Sequence, residues 1–301
     1  EYIVRVADQL KKGGPDFHYR VELQVAQPRV HLWVRRNPPY WRATPGQSIS
    51  VPRGNRYATI LSYHRAYFQD GISVRPQQLP AGIRVTAPQL NGRSVTTYSV
   101  AVPIVFEAAA NAPLGGLLTR FESASSNPTE AIQTTYEQSV YYGLNPPNYC
   151  FYGVDNDRLA VAVAEEFPVK LRLVVPRSPL VQEGRLTLQV ETQRDPDFTP
   201  PVQLELLYVP PGIAANVSDP VPAGKSIVEI PLEADRSAPV GSWPIVVVAR
   251  TATQLHGGGV STQIAPLEVV APYLDLAIER TAVRRGQTTR LTAKIEQKVP
   301  F

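Results

Sequence analysis

VQEGRLTLQVETQRDPDFTPPVQLELLYVPPGI, residues 181–213, decides the reading of this chain, because it has a counterpart upstream. Residues 51–83 read VPRGNRYATILSYHRAYFQDGISVRPQQLPAGI. Under a shift of 130, Gly54 falls on Gly184, Phe68 on Phe198, Pro80 on Pro210 and Gly82 on Gly212, and the glycine-to-proline spacing is 26 in both copies. Apolar positions keep phase under the same shift: Ala58 and Ile60 match Leu188 and Val190, and Ile72 and Val74 match Val202 and Leu204. Alternation with period two puts every second side chain on one face, which is the pattern of a half-buried strand. A strand pattern that recurs at fixed spacing makes the chain an array of one module.

The array extends both ways from this repeat. NAPLGG at 111–116 answers SAPVGS at 237–242, each leading into a strand. One module is expected over 28–168, opening with the strand VHLWV and including the strand-rich stretch 95–106. A second is expected over 169–271, where Val169/Leu171/Leu173, Leu186/Leu188/Val190, Val202/Leu204/Leu206 and Val228/Ile230/Leu232 each set three side chains on one face. A third copy starts at Tyr273 and covers 272–301, with Leu274/Leu276/Ile278 as its first strand and Gly286 in the place of Gly184. Its Leu291, Ala293 and Ile295 stand one residue late, which one extra turn residue explains. Residues 1–27 read as a hairpin, Tyr2/Val4/Val6 and Tyr19/Val21/Leu23/Val25 around the turn KKGGPD.

Composition agrees with many short strands. Proline makes up 30 of 301 residues, roughly twice average usage. Proline cannot donate to a sheet ladder, so it collects at edges, bulges and turns. A single cysteine, Cys150, excludes an internal disulfide and a multi-cysteine metal site, and beside Tyr149 and Phe151 it reads as a small buried hydrophobe. The net charge of +4 is spread without a Lys/Arg cluster, so nucleic acid is not an expected partner. No apolar run is long enough to span a membrane. The chain begins at Glu1 and contains no methionine, so its ends read as processed or truncated.

Modules of about 100 residues with seven or so short strands and Pro/Gly turns point to an all-β fold of tandem immunoglobulin-like β-sandwiches, with partial modules at both ends. The order strand, glycine turn, paired strands, L/V-P-x-G, strand, A-P-x-G, strand resembles the immunoglobulin-like domains beside glycosidases and peptidases in secreted bacterial proteins. The Y-x-V-x-V strand, GGPD turn and YRVEL strand of residues 1–27 resemble the last hairpin of the bacterial pre-peptidase C-terminal domain, also a β-sandwich. Together they look like the large multi-module secreted proteins of planctomycete-type bacteria. The resemblance implies an extracellular, cell-surface or periplasmic location.

Function in a repeat array sits where one copy departs from the others. The first module departs twice. A loop, RRNPPYWRATPGQS, occupies 35–48. Further on, Ala124 to Leu171 spans 47 residues where Ala252 to Leu274 spans 22. Strand or ordered loop is expected in this longer segment, although Ile132/Tyr136/Val140 has a helix-compatible spacing. Tyr40 and Trp41 of the first loop, with Tyr136, Tyr141, Tyr142, Tyr149 and Tyr152 of the second, are the candidate ligand- or partner-binding residues. Flat amphipathic rings suit a sugar or a protein partner, and also suit covering the open end of their own sandwich.

No catalytic constellation is visible. His18, His31, His64 and His256 fall in separate elements without HxH or HExxH spacing, and there is no GxSxG elbow. Gly224-Lys225-Ser226 is similar to the end of a phosphate loop, but Asp219 stands where that loop needs glycine and a strand follows, so it reads as a turn. Asp155-Asn156-Asp157 and the loop of Asp195 and Asp197 lack the remaining ligands of a calcium loop, so no metal or cofactor is expected. Asn216-Val217-Ser218 fits a glycosylation sequon by coincidence.

The chain therefore reads as a non-catalytic structural or interaction segment of a secreted or cell-surface protein: a scaffold, spacer or self-assembling, filament-forming unit, and not an enzyme. The alternative reading is a carbohydrate-binding accessory region of a secreted hydrolase. Expected partners are other modules of the same polypeptide, or neighbouring copies joined through end strands, and surface glycans.

Overall fold

In the computed structural model every regular element among the described residues is a strand, as a period-two pattern dictates. The structure describes residues 3, 5, 7–10, 12–18, 20–22, 25–34, 48–90, 100–145, 149–216, 220–251 and 259–298, with side chains at all of these except 100, 139–151, 153 and 251. The first part of the chain runs β1 (Arg29–Val34), β2 (Ser48–Pro52), β3 (Arg56–Ala66), β4 (Ile72–Pro76), β5 (Ile83–Thr86), β6 (Val100–Ala108), β7 (Gly115–Thr119), β8 (Phe121–Ser125), β9 (Gln133–Tyr136), β10 (Gln138–Asn145), β11 (Tyr149–Asn156) and β12 (Leu159–Ala164). The second runs β13 (Val169–Val174), β14 (Leu180–Val181), β15 (Arg185–Arg194), β16 (Val202–Leu206), β17 (Ile213–Ala215), β18 (Ile227–Ala234), β19 (Gly241–Ile245), β20 (Val247–Thr251), β21 (Val260–Ser261) and β22 (Ala265–Val270). A last pair, β23 (Leu274–Ile278) and β24 (Ala293–Gln297), follows.

The second part shows the plan most plainly. One sheet has the order β13-β15-β18-β17. The opposing face is β14-β22-β19 and β16-β20-β21, where β19 passes into β20 at Val246 and β21 into β22 across 262–264. First, second, fifth and fourth strands against third, sixth and seventh is the immunoglobulin-like arrangement. Val169, Leu171, Leu173, Leu188, Val190, Val202, Leu204, Leu206, Val228, Ile230 and Leu232 all turn inward and are at most 5% exposed. Each such side chain taken from water stabilises by about 1.5–3 kcal/mol, which is why strict alternation settles the register.

The first part repeats the plan with one addition. Its sheet β5-β6-β3-β1 has the same order, extended by β9 running parallel to β1. The opposing face is β2-β12-β7 and β4-β8. Between the faces lie Val30, Leu32, Leu61, Tyr63, Ile104 and Phe106 from one side and Ile49, Val51, Ile72, Val161 and Val163 from the other. All-β tandem sandwiches are thus what the sequence forms.

Each sandwich closes one side with a short strand, by opposite means. In the second, β21 pairs through its backbone with β20, and Gln263 just beyond it serves the edge of β13. The Gln263 Nε2 donates to the Leu173 carbonyl at 2.7 Å, and its Oε1 accepts from the Leu173 N–H at 3.4 Å. In the first, β9 pairs through its backbone with β1, and the Thr134 hydroxyl accepts from the Ser123 N–H of β8 at 3.1 Å. Both devices occupy groups that an edge strand would otherwise present to other chains.

The turn that opens the repeat corrects the sequence alignment by one residue. Asn55 N–H donates to the Pro52 carbonyl at 3.1 Å, and Gly184 N–H to the Val181 carbonyl at 2.9 Å, so Asn55 answers Gly184. The left-handed residue is Gly54 in one copy (φ 63°) and Glu183 in the other (φ 61°). Thr59 and Leu61, rather than Ala58 and Ile60, therefore answer Leu188 and Val190. Ala58 lies on the outer face of its sheet, because a one-residue slip in a strand exchanges its faces. The counterpart of Gly286 (φ 86°) is likewise Glu183, which puts Leu291, Ala293 and Ile295 in step with Leu188, Val190 and Thr192 without an extra turn residue.

β23 and β24 pair antiparallel, with Leu276 opposite Ile295 and Ile278 opposite Ala293. They repeat the hairpin of β13 and β15, yet every described residue from 273 to 298 is exposed. Within 1–27, Tyr2, Val4, Val6, Tyr19 and Leu23 of the expected hairpin lie outside the described residues. The described ones carry no strand but two turns: the Leu10 and Lys12 N–H groups donate to Asp8 Oδ2 at 3.0 and 2.9 Å, and Phe17 N–H donates to the Gly14 carbonyl at 3.1 Å.

Candidate functional site

The aromatic residues singled out from the sequence have different places. Tyr40 and Trp41 lie outside the described residues. Tyr136 closes β9 and is 6% exposed, its ring 5.1 Å from that of Phe121 and its hydroxyl donating to Gln138 Oε1 at 2.7 Å. Burial pushes its phenol pKa above the ordinary value, so the group stays neutral. Tyr136 belongs to the core.

Tyr141, Tyr142, Tyr149 and Tyr152 are brought together in one hairpin, β10–β11. β10 and β11 pair from Gln138 opposite Asn156 to Asn145 opposite Tyr149, with irregular register between Tyr141 and Leu144. The side chains of Tyr141, Tyr142, Tyr149 and Cys150 lie outside the described set. Tyr152 is 62% exposed and Val154, two positions on and so on the same face, 38%. The helix-compatible spacing through Tyr136 resolves into strands, as Thr, Tyr and Val favour. This hairpin leaves the sandwich where β9 has crossed to β1, and the chain returns to the opposite sheet as β12.

Register also joins residues that sequence spacing kept apart. His31 and His64 are direct cross-strand partners on β1 and β3. The His31 Nδ1 is 3.0 Å from Thr135 Oγ1, and its ring centroid is 5.5 Å from that of Trp33. Two imidazoles fall short of the three or four protein ligands of a zinc centre, and no group of three or more His, Cys, Asp or Glu able to hold a metal occurs among the described residues. Asp157 of the Asp155-Asn156-Asp157 loop pairs with Arg120 at 2.5 Å and Arg158 at 3.6 Å. The antiparallel order of β1 and β3 was the only signal that would have shown the histidine pair.

The remaining turns behave as scaffolding. Gly224 has φ 85°, and Thr192 binds the carbonyls of Lys225 and Ser226 beyond it, leading the chain into β18. Asp195 forms a turn with Phe198, whose ring packs 6.0 Å from Phe167. On the outer face of β13-β15-β18-β17, shallow grooves are lined by Lys170, Arg172, Glu191 and Ser226 and by Thr187, Asn216, Lys225 and Pro231. Arg172 is held there in a two-bond fork by Glu191, at 2.7 and 2.5 Å.

Among the described residues no helix is long and apolar enough to cross a membrane. No family model and no curated protein matches the chain. Solved structures do. Domains 4–9 of the surface-layer protein SbsC match 80% of the chain at 13% identity with a TM-score of 0.25, and the chain spans 32% of that structure. The fibronectin(III)-like modules of Clostridium thermocellum CbhA match 74% of the chain and 90% of their own length, at 9% identity and a TM-score of 0.21. A protein of unknown function from Porphyromonas gingivalis W83 matches 81% of the chain and all of its own, at 11% identity and a TM-score of 0.23. The chain is thus distantly similar to bacterial multi-module β proteins.

Proposed function

We propose that this chain is a non-catalytic structural segment of a secreted or cell-surface protein, whose tandem sandwiches act as scaffold, spacer or self-assembling unit. The observation that supports this is where the buried and half-buried polar side chains at the module ends are directed. Arg53 and Gln182 bind the carbonyls of Ala112 and Ala238 at 2.9 and 2.7 Å. Arg65 binds the Asp70 carbonyl at 2.9 Å, and Arg194 those of Pro200 and Val221 at 3.0 and 2.6 Å. These groups hold turns of their own module, and they do so at equivalent places in both copies. The partners of such a unit are further modules, in the same polypeptide or in neighbouring copies. The exposed Leu276, Ile278, Leu291 and Ile295 offer the face for them, since Leu171, Leu173 and Leu188 at the matching places are buried. The test is to offer the full chain to a broad panel of polysaccharides and of glycosidase and peptidase substrates. No turnover and no binding is the expected result; turnover would overturn the reading.

A second reading, a carbohydrate-binding accessory region of a secreted hydrolase, is favoured by the exposure of Tyr152 on the β10–β11 hairpin. It predicts glycan binding that is lost in Trp41→Ala or Tyr152→Ala.

A further inference from the structure

We infer that the two sandwiches are welded into one rigid body, the outer face of β3 and β6 being a seat built for the second sandwich. Ala58 and Val105 are cross-strand partners on that face, and both are 3% exposed. They are covered by Val246 and Val248, with Leu207 and Ile264 packed around them, as an apolar cluster separate from either core. The covering segment is itself fixed: Leu207 N–H donates to the Val246 carbonyl at 2.9 Å, and Val247 N–H to Thr262 Oγ1 at 3.1 Å.

The connection between the sandwiches is clamped as well. Asn55, 5% exposed, donates from Nδ2 to the Val169 carbonyl at 2.7 Å, from the opening turn of the first sandwich to the first residue of β13. Arg53 stands 3.7 Å from Glu165, and Phe167 packs on Phe198. Tyr57 is half-buried near Arg250: desolvation raises its pKa and the nearby guanidinium lowers it. A junction of this kind has an apolar centre, a buried hydrogen bond to the backbone and a short anchored linker. A freely hinged pair would keep a wetter and more polar contact.

The equivalent face of the second sandwich shows that the seat is specific. There Gly184 replaces Asn55, so no amide reaches forward. Thr187 stands for Ala58, and its cross-strand partner Pro231 for Val105. Thr187 and Pro231 are exposed. The module plan alone therefore does not produce the seat; Asn55, Ala58 and Val105 do.

The experiment is a pair of spin labels on the full chain, at Thr86→Cys and Glu229→Cys in a Cys150→Ser background, with the distance distribution read by double electron–electron resonance. One narrow peak is expected. Asn55→Ala combined with Ala58→Glu should lose that peak while the far-ultraviolet circular dichroism stays that of the parent. A broad or multiple distribution in the parent would overturn the inference by itself, even where the double variant fails to fold. So would a folded double variant that keeps the narrow peak.

Discussion

Gly212 approaches Ala238 so closely that a Cβ built on it would stand 2.7 Å from the Ala238 Cα. Gly82 stands in the same relation to Ala112, its added Cβ meeting the Ala112 Cβ at 2.7 Å. The two motifs that recur in the sequence, P-x-G and A-P-x-G, are thus the two sides of one contact made in each sandwich. The backbone seals it: Asp235 N–H donates to the Gly212 carbonyl at 2.8 Å and Ala109 N–H to the Gly82 carbonyl at 2.9 Å. Both glycines are left-handed, with φ of 71° and 82°.

Gly212→Ala and Gly82→Ala should each destabilise their sandwich by about 2–4 kcal/mol, from left-handed strain plus displacement of packed backbone. Gly224→Ala separates the two causes. Its φ is 85° but nothing lies within 4 Å of the added Cβ, so strain alone, about 1 kcal/mol, is expected. Urea unfolding of the three variants makes the comparison.

Glu183 holds a left-handed conformation that glycine adopts without strain. Glu183→Gly should raise stability by about 0.5–1 kcal/mol, the relief of strain being partly offset by the freer unfolded chain. Gly184→Ala should act in the other direction, because its Cβ would meet the Val181 carbonyl at 2.9 Å. A shift of the urea midpoint without a change of slope is the readout.

The phenol of Tyr136 is pushed above its ordinary value of 10.0 by burial. Above that pH the unfolded chain releases this proton while the folded chain retains it, so stability is full below pH 10 and falls as pH rises further. Tyr136→Phe should cost about 1 kcal/mol near neutrality through the lost hydrogen bond to Gln138. It should also make the alkaline decline shallower by up to about 1.4 kcal/mol per pH unit. Urea titrations from pH 8 to pH 11 would show both effects.

Gln263 substitutes for a neighbouring strand at Leu173. Gln263→Ala should cost about 1–2 kcal/mol and leave the β13 edge open to pairing between molecules. Light scattering during storage should rise for this variant and stay low for the parent.

The strands of the second sandwich were legible in the sequence, since Val169/Leu171/Leu173, Leu188/Val190, Val202/Leu204/Leu206 and Val228/Ile230/Leu232 alternate and are buried on one face. In β3 the register differs by one residue from the sequence match of Gly54 with Gly184. Gly54 is required for a positive φ, Gly184 for a close approach to the Val181 carbonyl, and aligning the letters merges two different requirements. The Ile132–Tyr136 segment revealed its strand character through Thr and Tyr, but which sheet β9 joins is set by contacts 100 residues away. Of the aromatic candidates, Tyr136 and Tyr152 have the same local composition and opposite burial. Only the crossing of β9 to β1 separates them.

The central claim, that the chain is a tandem of folded sandwiches serving as scaffold or spacer, is tested most directly by pulling the full chain between its ends in single-molecule force spectroscopy. Two discrete unfolding events are predicted, with contour gains of about 500 and 370 Å for 28–168 and 169–271, less each folded span. Smooth extension without discrete events would contradict it.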